Sequence, residues 1–221
     1  MFTLPNLITI LRILLVPVFA VTFALPGLGA RVVAFAIFCV AGASDALDGL
    51  AARKLNAGSD FGRMLDPIAD KILVGVALMM LIAEGNILQF NLVPGMKGLL
   101  RLVPALVILA REILVSGLRE FLAGADVSVP VTRIAKTKTT IQMVAIGAMI
   151  LEPLAAAWLP QKGALTYTAV AYGGLWLAAA LTVGTGYAYF RAGLAHLNPR
   201  AASDRPRKSD ARARGRAGEA V

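Results

Sequence analysis

The sequence predicts an all-α integral membrane protein, a six-transmembrane-helix bundle with both termini cytoplasmic, and three observations carry that prediction. Only 16% of its 221 residues are charged, where a soluble domain carries about 25%. Apolar runs of about 17–25 residues recur along the chain, the length that crosses a hydrocarbon core of about 30 Å. Lysine and arginine then gather in alternate links between the runs. In lipid each backbone polar group must find its partner within its own segment, so such runs fold as helices in one bundle.

The six spans read as 5–25, 31–54, 64–84, 99–122, 136–158 and 164–190. Pro5 opens the first, where proline is tolerated because its missing N–H would have no helical partner. Pro26 and Gly27 close it with a turn. This first run reads as a real span and not as a signal peptide, since it lacks a basic leading region and Asn6 and Arg12 interrupt it. Gly85, Asn86, Pro94 and Gly95 mark an outer loop, and Pro160 and Gly163 a turn between spans five and six. Cys39, the single cysteine, lies in an apolar run. An intrachain disulfide and a thiolate metal cluster are therefore excluded.

Orientation follows from the basic residues beside the spans. Arg53, Lys54 and Arg63 flank the second link, and Arg119, Arg133, Lys136 and Lys138 the fourth. The opposite links hold only Arg31, Lys97, Arg101 and Lys162. After the last run come Arg191, Arg200, Arg205, Arg207, Lys208, Arg212, Arg214 and Arg216, against Asp204, Asp210 and Glu219. The sequence thus divides into a helical domain, 1–195, and a basic cytoplasmic tail, 196–221, with a disordered composition. The net charge of +9 is concentrated in that tail and the inner links. It reads as contact with anionic membrane lipids, not with nucleic acid.

Four carboxylates stand out. Asp45, Asp48, Asp66 and Asp70 fall in or beside spans, where an ionised side chain is costly and marks function. Asp45 and Asp48 are three apart, and Asp66 and Asp70 four apart, so each pair shares one helix face. Consecutive helices on a short link run antiparallel, which brings both pairs to the cytoplasmic end of the bundle. Converging carboxylates repel unless cations neutralise them, and hard oxygen ligands suit Mg²⁺ or Mn²⁺ beside a substrate phosphate. Room for two ions fits the clamp used in phosphoryl displacement. The competing reading is salt bridging to Arg53 or Lys71, which suits one pair better than two. Asp60 reads as a solvated residue of the link.

The stretch 45–70, DALDGLAARKLNAGSDFGRMLDPIAD, resembles the signature D-x2-D-G-x2-A-R-x8-G-x3-D-x3-D of the CDP-alcohol phosphatidyltransferases. Asp45, Asp48, Gly49, Ala52, Arg53, Gly62, Asp66 and Asp70 occupy every specified position. The resemblance implies a six-helix fold over about residues 1–195, a CDP-diacylglycerol donor and a homodimer. It implies that Asp45, Asp48 and Asp66 hold the metals. Asp70 would hold the second metal and take the proton of the acceptor hydroxyl. Gly49 and Ala52 would leave room for the nucleotide, Arg53 would pair with donor phosphates, and Ser59 would add a nucleotide contact. Gly62 would turn the link into the third helix. Asn6 and Thr9 would face the donor, or else cap a solvated helix end.

Arg111 and Arg119, eight apart on span four, and Lys136 and Lys138, opening span five, place cations near the aspartates. Cations beside a metal–phosphate site suggest an acceptor with its own phosphate. Positive-inside decoration explains Arg133 and Lys138 adequately, but not Arg111 deep in a span. Glu112 and Glu120 read as partners of neighbouring cations. The strings PNLITILR (5–12), AREILVSGLRE (110–120) and KTKTTIQM (136–143) resemble those of family members that use glycerol 3-phosphate. Inositol phosphate or serine would use the same signature. A membrane prenyltransferase also holds pyrophosphate with aspartate pairs, but far apart in sequence. A divalent-cation transporter would leave Gly49, Ala52 and Arg53 unexplained. The site is expected at the cytoplasmic face of the inner membrane.

Overall fold

The computed structural model describes residues 4–55, 60–84, 95–124 and 133–197. All regular structure among them is helical: α1 (Leu4–Ala24), α2 (Leu28–Leu55), α3 (Asp60–Glu84), α4 (Gly95–Gly124), α5 (Arg133–Ile150), α6 (Glu152–Trp158) and α7 (Gln161–Leu197). The turn between α1 and α2 depends on Gly27, whose φ of +103° suits glycine because it has no Cβ. Span five is not one straight helix. It breaks at Leu151, and α5 and α6 meet at a bend of 49°. Pro153 supplies the cause: it has no N–H to donate, and its ring clashes with the preceding turn. The last helix runs on to Leu197, past the expected end of its span.

By length and composition two helices, α1 and α7, are apolar enough to cross a membrane, or three if the bent pair counts as one span. The expectation of six is not met by that criterion. Among the described residues α2 offers an apolar stretch over Leu28–Ser44, too short by itself to count as a span. Helices α3 and α4 are interrupted by Asp66, Asp70 and Lys71, and by Arg101, Arg111 and Glu112.

Side-chain contacts fix how the helices run. Arg31 at the start of α2 pairs with Glu84 at the end of α3, at 2.5 Å. The other ends of these helices are joined through residues 56–59, so α2 and α3 are antiparallel. On α4 and α7, Arg101 Nε donates to the Tyr172 hydroxyl at 2.6 Å, and Arg111 donates to Thr185 Oγ1 at 2.9 Å. Both contacts advance along both chains, so α4 and α7 are parallel.

Polar contacts therefore gather in two tiers. One tier joins Arg31, Glu84, Arg101, Glu152, Thr168 and Tyr172 from five helices. The other holds Arg12, Ser44, Asp70, Arg111, Glu112, Lys138 and Thr185. Between them lies an apolar core that includes Phe19, Phe38, Leu78, Ile108, Ile146 and Leu175. From Arg101 to Arg111 is ten residues and from Asp70 to Glu84 fourteen, or about 15–21 Å at 1.5 Å per residue. The outer surface is apolar as well. Along α1 the buried face carries Asn6, Thr9 and Arg12, whereas Leu7, Leu11, Leu14, Val18 and Val21 are exposed. Polar residues inside and leucines outside suit a helix solvated by lipid.

Candidate active site

The antiparallel pairing of α2 and α3 sets the level of the four aspartates. Asp45 stands ten residues before Leu55, and Asp70 ten after Asp60, so each lies about 15 Å from the link. Asp48 and Asp66 stand seven before and six after the same points. The two pairs are thus level on adjacent helices. Four carboxylate positions at one height, two from each helix, are a donor set suited to divalent cations. The side chains of Asp45, Asp48, Ala52, Arg53 and Asp66, like the surroundings of Gly49 and Gly62, lie outside the described part of these helices. Ser59 lies outside the described residues altogether. Asp70 is described, half-buried, on the wall of a cavity. Its neighbour Lys71 turns its ammonium to the Pro67 carbonyl of its own helix, at 3.0 Å.

Helix α1 closes one side of this level. Asn6, Thr9 and Arg12 are three apart and form one face, and all three are at most 2% exposed. The solvated-end reading of Asn6 and Thr9 is therefore wrong: packing of α1 on α2 and α3 removes them from solvent. Arg12 Nε donates to Ser44 Oγ at 2.9 Å, and Ser44 donates to the Ala41 carbonyl at 2.7 Å. A buried guanidinium is thus anchored next to Asp45 in the chain. In the sequence Arg12 reads only as an interruption of an apolar run. The i, i+3, i+6 spacing of three polar residues in an apolar run was the available signal.

Helices α4, α5 and α7 supply the cations. Glu112 Oε1 accepts from Arg111 at 3.2 Å and also pairs with Lys138 of α5. One carboxylate therefore holds two like charges together. The charges of Glu112, Arg111 and Asp70 all bear on the Lys138 ammonium, which joins this cluster to the aspartate level. Arg111 is pinned from the other side by Thr185, whose hydroxyl donates to the Leu181 carbonyl at 2.9 Å. Gly186 permits this approach, since a Cβ there would lie 3.1 Å from both Cγ and Nε of Arg111. Of the other two cations, Arg119 is exposed, and the side chain of Lys136 lies outside the described part. Among the described residues the structure thus unites Arg111 with Lys138 but leaves Arg119 two turns away.

Between α3, α4 and α5 lies a cavity of about 190 Å³ that carries Asp70, Glu112, Thr139 and Gln142 on its wall. A carboxylate able to take a proton, two cations nearby and a small chamber with a few polar groups on a largely apolar wall suit transfer to a phosphorylated alcohol. The family model for CDP-alcohol phosphatidyltransferases matches residues 2–184. The chain belongs to that family. As a CDP-alcohol phosphatidyltransferase it is a transferase of phospholipid synthesis, and the prenyltransferase and transporter readings end here. It is 43% identical over 189 residues to a protein of Rickettsia felis, covering 86% of this chain and 94% of the relative. It is 38% identical over 197 residues to one of Pseudomonas fluorescens, covering 88% and 91%. A Salmonella typhimurium protein is 37% identical over 177 residues, covering 79% and 90%. All three are named CDP-diacylglycerol–glycerol-3-phosphate 3-phosphatidyltransferase.

Proposed function

We propose that this CDP-alcohol phosphatidyltransferase transfers the phosphatidyl group of CDP-diacylglycerol to sn-glycerol 3-phosphate, yielding phosphatidylglycerophosphate and CMP. The observation that carries the proposal is the Arg111–Glu112–Lys138 cluster beside the Asp70 cavity, because a phosphorylated acceptor needs cations near the base. The names of the relatives support the same acceptor. Serine, lacking a phosphate, would leave those cations unused.

In this reading Asp45, Asp48, Asp66 and Asp70 hold two divalent cations, Mg²⁺ or Mn²⁺. When bound, the ions neutralise phosphate charge and align the displaced group. Asp70 takes the proton from the acceptor hydroxyl. That oxygen bonds to the lipid-side phosphorus as the bond to the CMP phosphate breaks, and CMP leaves with the electron pair. Arg53 grips the donor phosphates through its planar fork, and Gly49 and Ala52 leave space for the nucleotide. Ser59, Asn6 and Thr9 complete the donor side, and Gly62 shapes the turn into α3. Arg111, Arg119, Lys136 and Lys138 receive the acceptor phosphate.

The reading places the protein in the inner membrane as a six-span bundle and homodimer, with termini and site toward the cytoplasm. The two polar tiers support it, since α2, α3, α4, α7 and the bent α5–α6 pair each carry a polar residue in both. Their separation is less than the roughly 30 Å of a hydrocarbon core, so the site lies sunk toward the level of lipid phosphates. The basic inner links and tail give the orientation.

Arg119→Ala tests the acceptor assignment cleanly, because among the described residues Arg119 forms no ion pair that its loss would break. A lost charge-assisted hydrogen bond costs about 1.5–3 kcal/mol, or roughly 10- to 150-fold in affinity. The Michaelis constant for glycerol 3-phosphate should rise by that factor while the constant for CDP-diacylglycerol and the thermal midpoint stay put. Equal effects on both substrates would remove Arg119 from the acceptor site.

A further inference from the structure

Gln142 of α5 is only 2% exposed, yet its side-chain oxygen is buried without a hydrogen-bond partner among the described residues. Within a bundle solvated by lipid, an amide oxygen left unpaired is a costly choice where leucine or methionine would pack. Its position is specific. Gln142 is on the wall of the same 190 Å³ cavity as Asp70, Glu112 and Thr139. It also lies one turn from Lys138 on the same face of α5, about 6 Å along the axis. The cavity is smaller than the roughly 300–1,000 Å³ of pockets for drug-sized ligands, a size suited to an acceptor of few heavy atoms.

We propose that Gln142 binds a second, non-reacting hydroxyl of the acceptor and thereby selects vicinal diols. The inference rests on the acceptor assignment above and deepens it. Asp70 Oδ accepts from the hydroxyl that attacks, and Gln142 Oε1 accepts from its neighbour. The acceptor phosphate sits one turn along α5 at Lys138 and Arg111. An amide also has two N–H donors, so it serves a hydroxyl as acceptor and donor alike. A hydroxyl meeting this amide gives it the partner that the protein itself does not supply. An analogue lacking that hydroxyl leaves the buried oxygen unpaired, which is how a polar site rejects a deoxy substrate.

The test compares glycerol 3-phosphate with 3-hydroxypropyl phosphate, which keeps the phosphate and the primary hydroxyl but lacks the middle one. CMP release is measured with the full-length wild-type enzyme, Gln142→Leu and Gln142→Met, the second preserving side-chain length should the first not fold. Wild type should favour glycerol 3-phosphate in kcat/KM by about 5- to 150-fold, the range set by one unpaired buried group. Both variants should lose that preference. Their Michaelis constant for CDP-diacylglycerol and their rate with the deoxy analogue should match wild type. Equal loss with both acceptors, or a wild type that does not distinguish them, overturns the proposal. A wild type that releases no CMP with glycerol 3-phosphate overturns the acceptor assignment itself, and this inference with it.

Discussion

Asp70→Asn is expected to lower turnover by about two to four orders of magnitude, the range typical of losing a general base. Asparagine keeps the size of the side chain, so the protein should still fold in detergent. It removes both the proton acceptor and one of four negative charges at the level shared by α2 and α3. Asp66→Asn, which removes another of those four charges, should behave similarly. Measuring CMP release at saturating Mg²⁺ decides the matter. Near-normal turnover in either variant would show that the level of carboxylates is structural.

Arg12→Met is expected to have the largest effect on stability. Arg12 is 1% exposed and donates to Ser44 across the α1–α2 contact. A guanidinium so deeply buried has to be balanced by nearby negative charge, and the aspartate level beginning at Asp45 is adjacent. Removing one partner of a buried charged set costs about 3–5 kcal/mol. The thermal midpoint in detergent should fall sharply, and activity should fall with it. Arg12→Lys, which keeps the charge but not the planar fork, should recover part of the midpoint. An unchanged midpoint in Arg12→Met would mean that α1 is held to α2 by apolar contacts alone.

Helix positions were legible because lipid imposes long apolar runs, and the breaks at Gly27 and Pro160 carry their own turn chemistry. The bend at Leu151 was not foreseen, although Pro153 stands in the sequence. Glu152 beside it has no spacing signal in the sequence, yet it pairs with Arg101 across the bundle. Arg101 reads from the sequence only as outer-link charge. The aspartate level could be read directly, since spacings of three and four and a short link depend on local geometry. Arg111 with Lys138 could be guessed as neighbours, but their sharing of Glu112 Oε1 depends on how α4 and α5 pack. Gln142 stands four residues after Lys138, a spacing that puts both on one face of α5 but says nothing of a partner. Its meaning lies in being buried without a partner, which only the folded chain reveals.

One measurement bears most directly on the central claim: CMP release by purified protein from CDP-diacylglycerol, with the lipid product identified, across a panel of alcohols. Glycerol 3-phosphate should support rapid release and yield phosphatidylglycerophosphate. Serine, inositol phosphate and unphosphorylated glycerol should give little, and EDTA should stop the reaction until Mg²⁺ or Mn²⁺ is restored. Release with serine or inositol phosphate but not with glycerol 3-phosphate would contradict the account at its acceptor. Undiminished release in EDTA would contradict it at the aspartates.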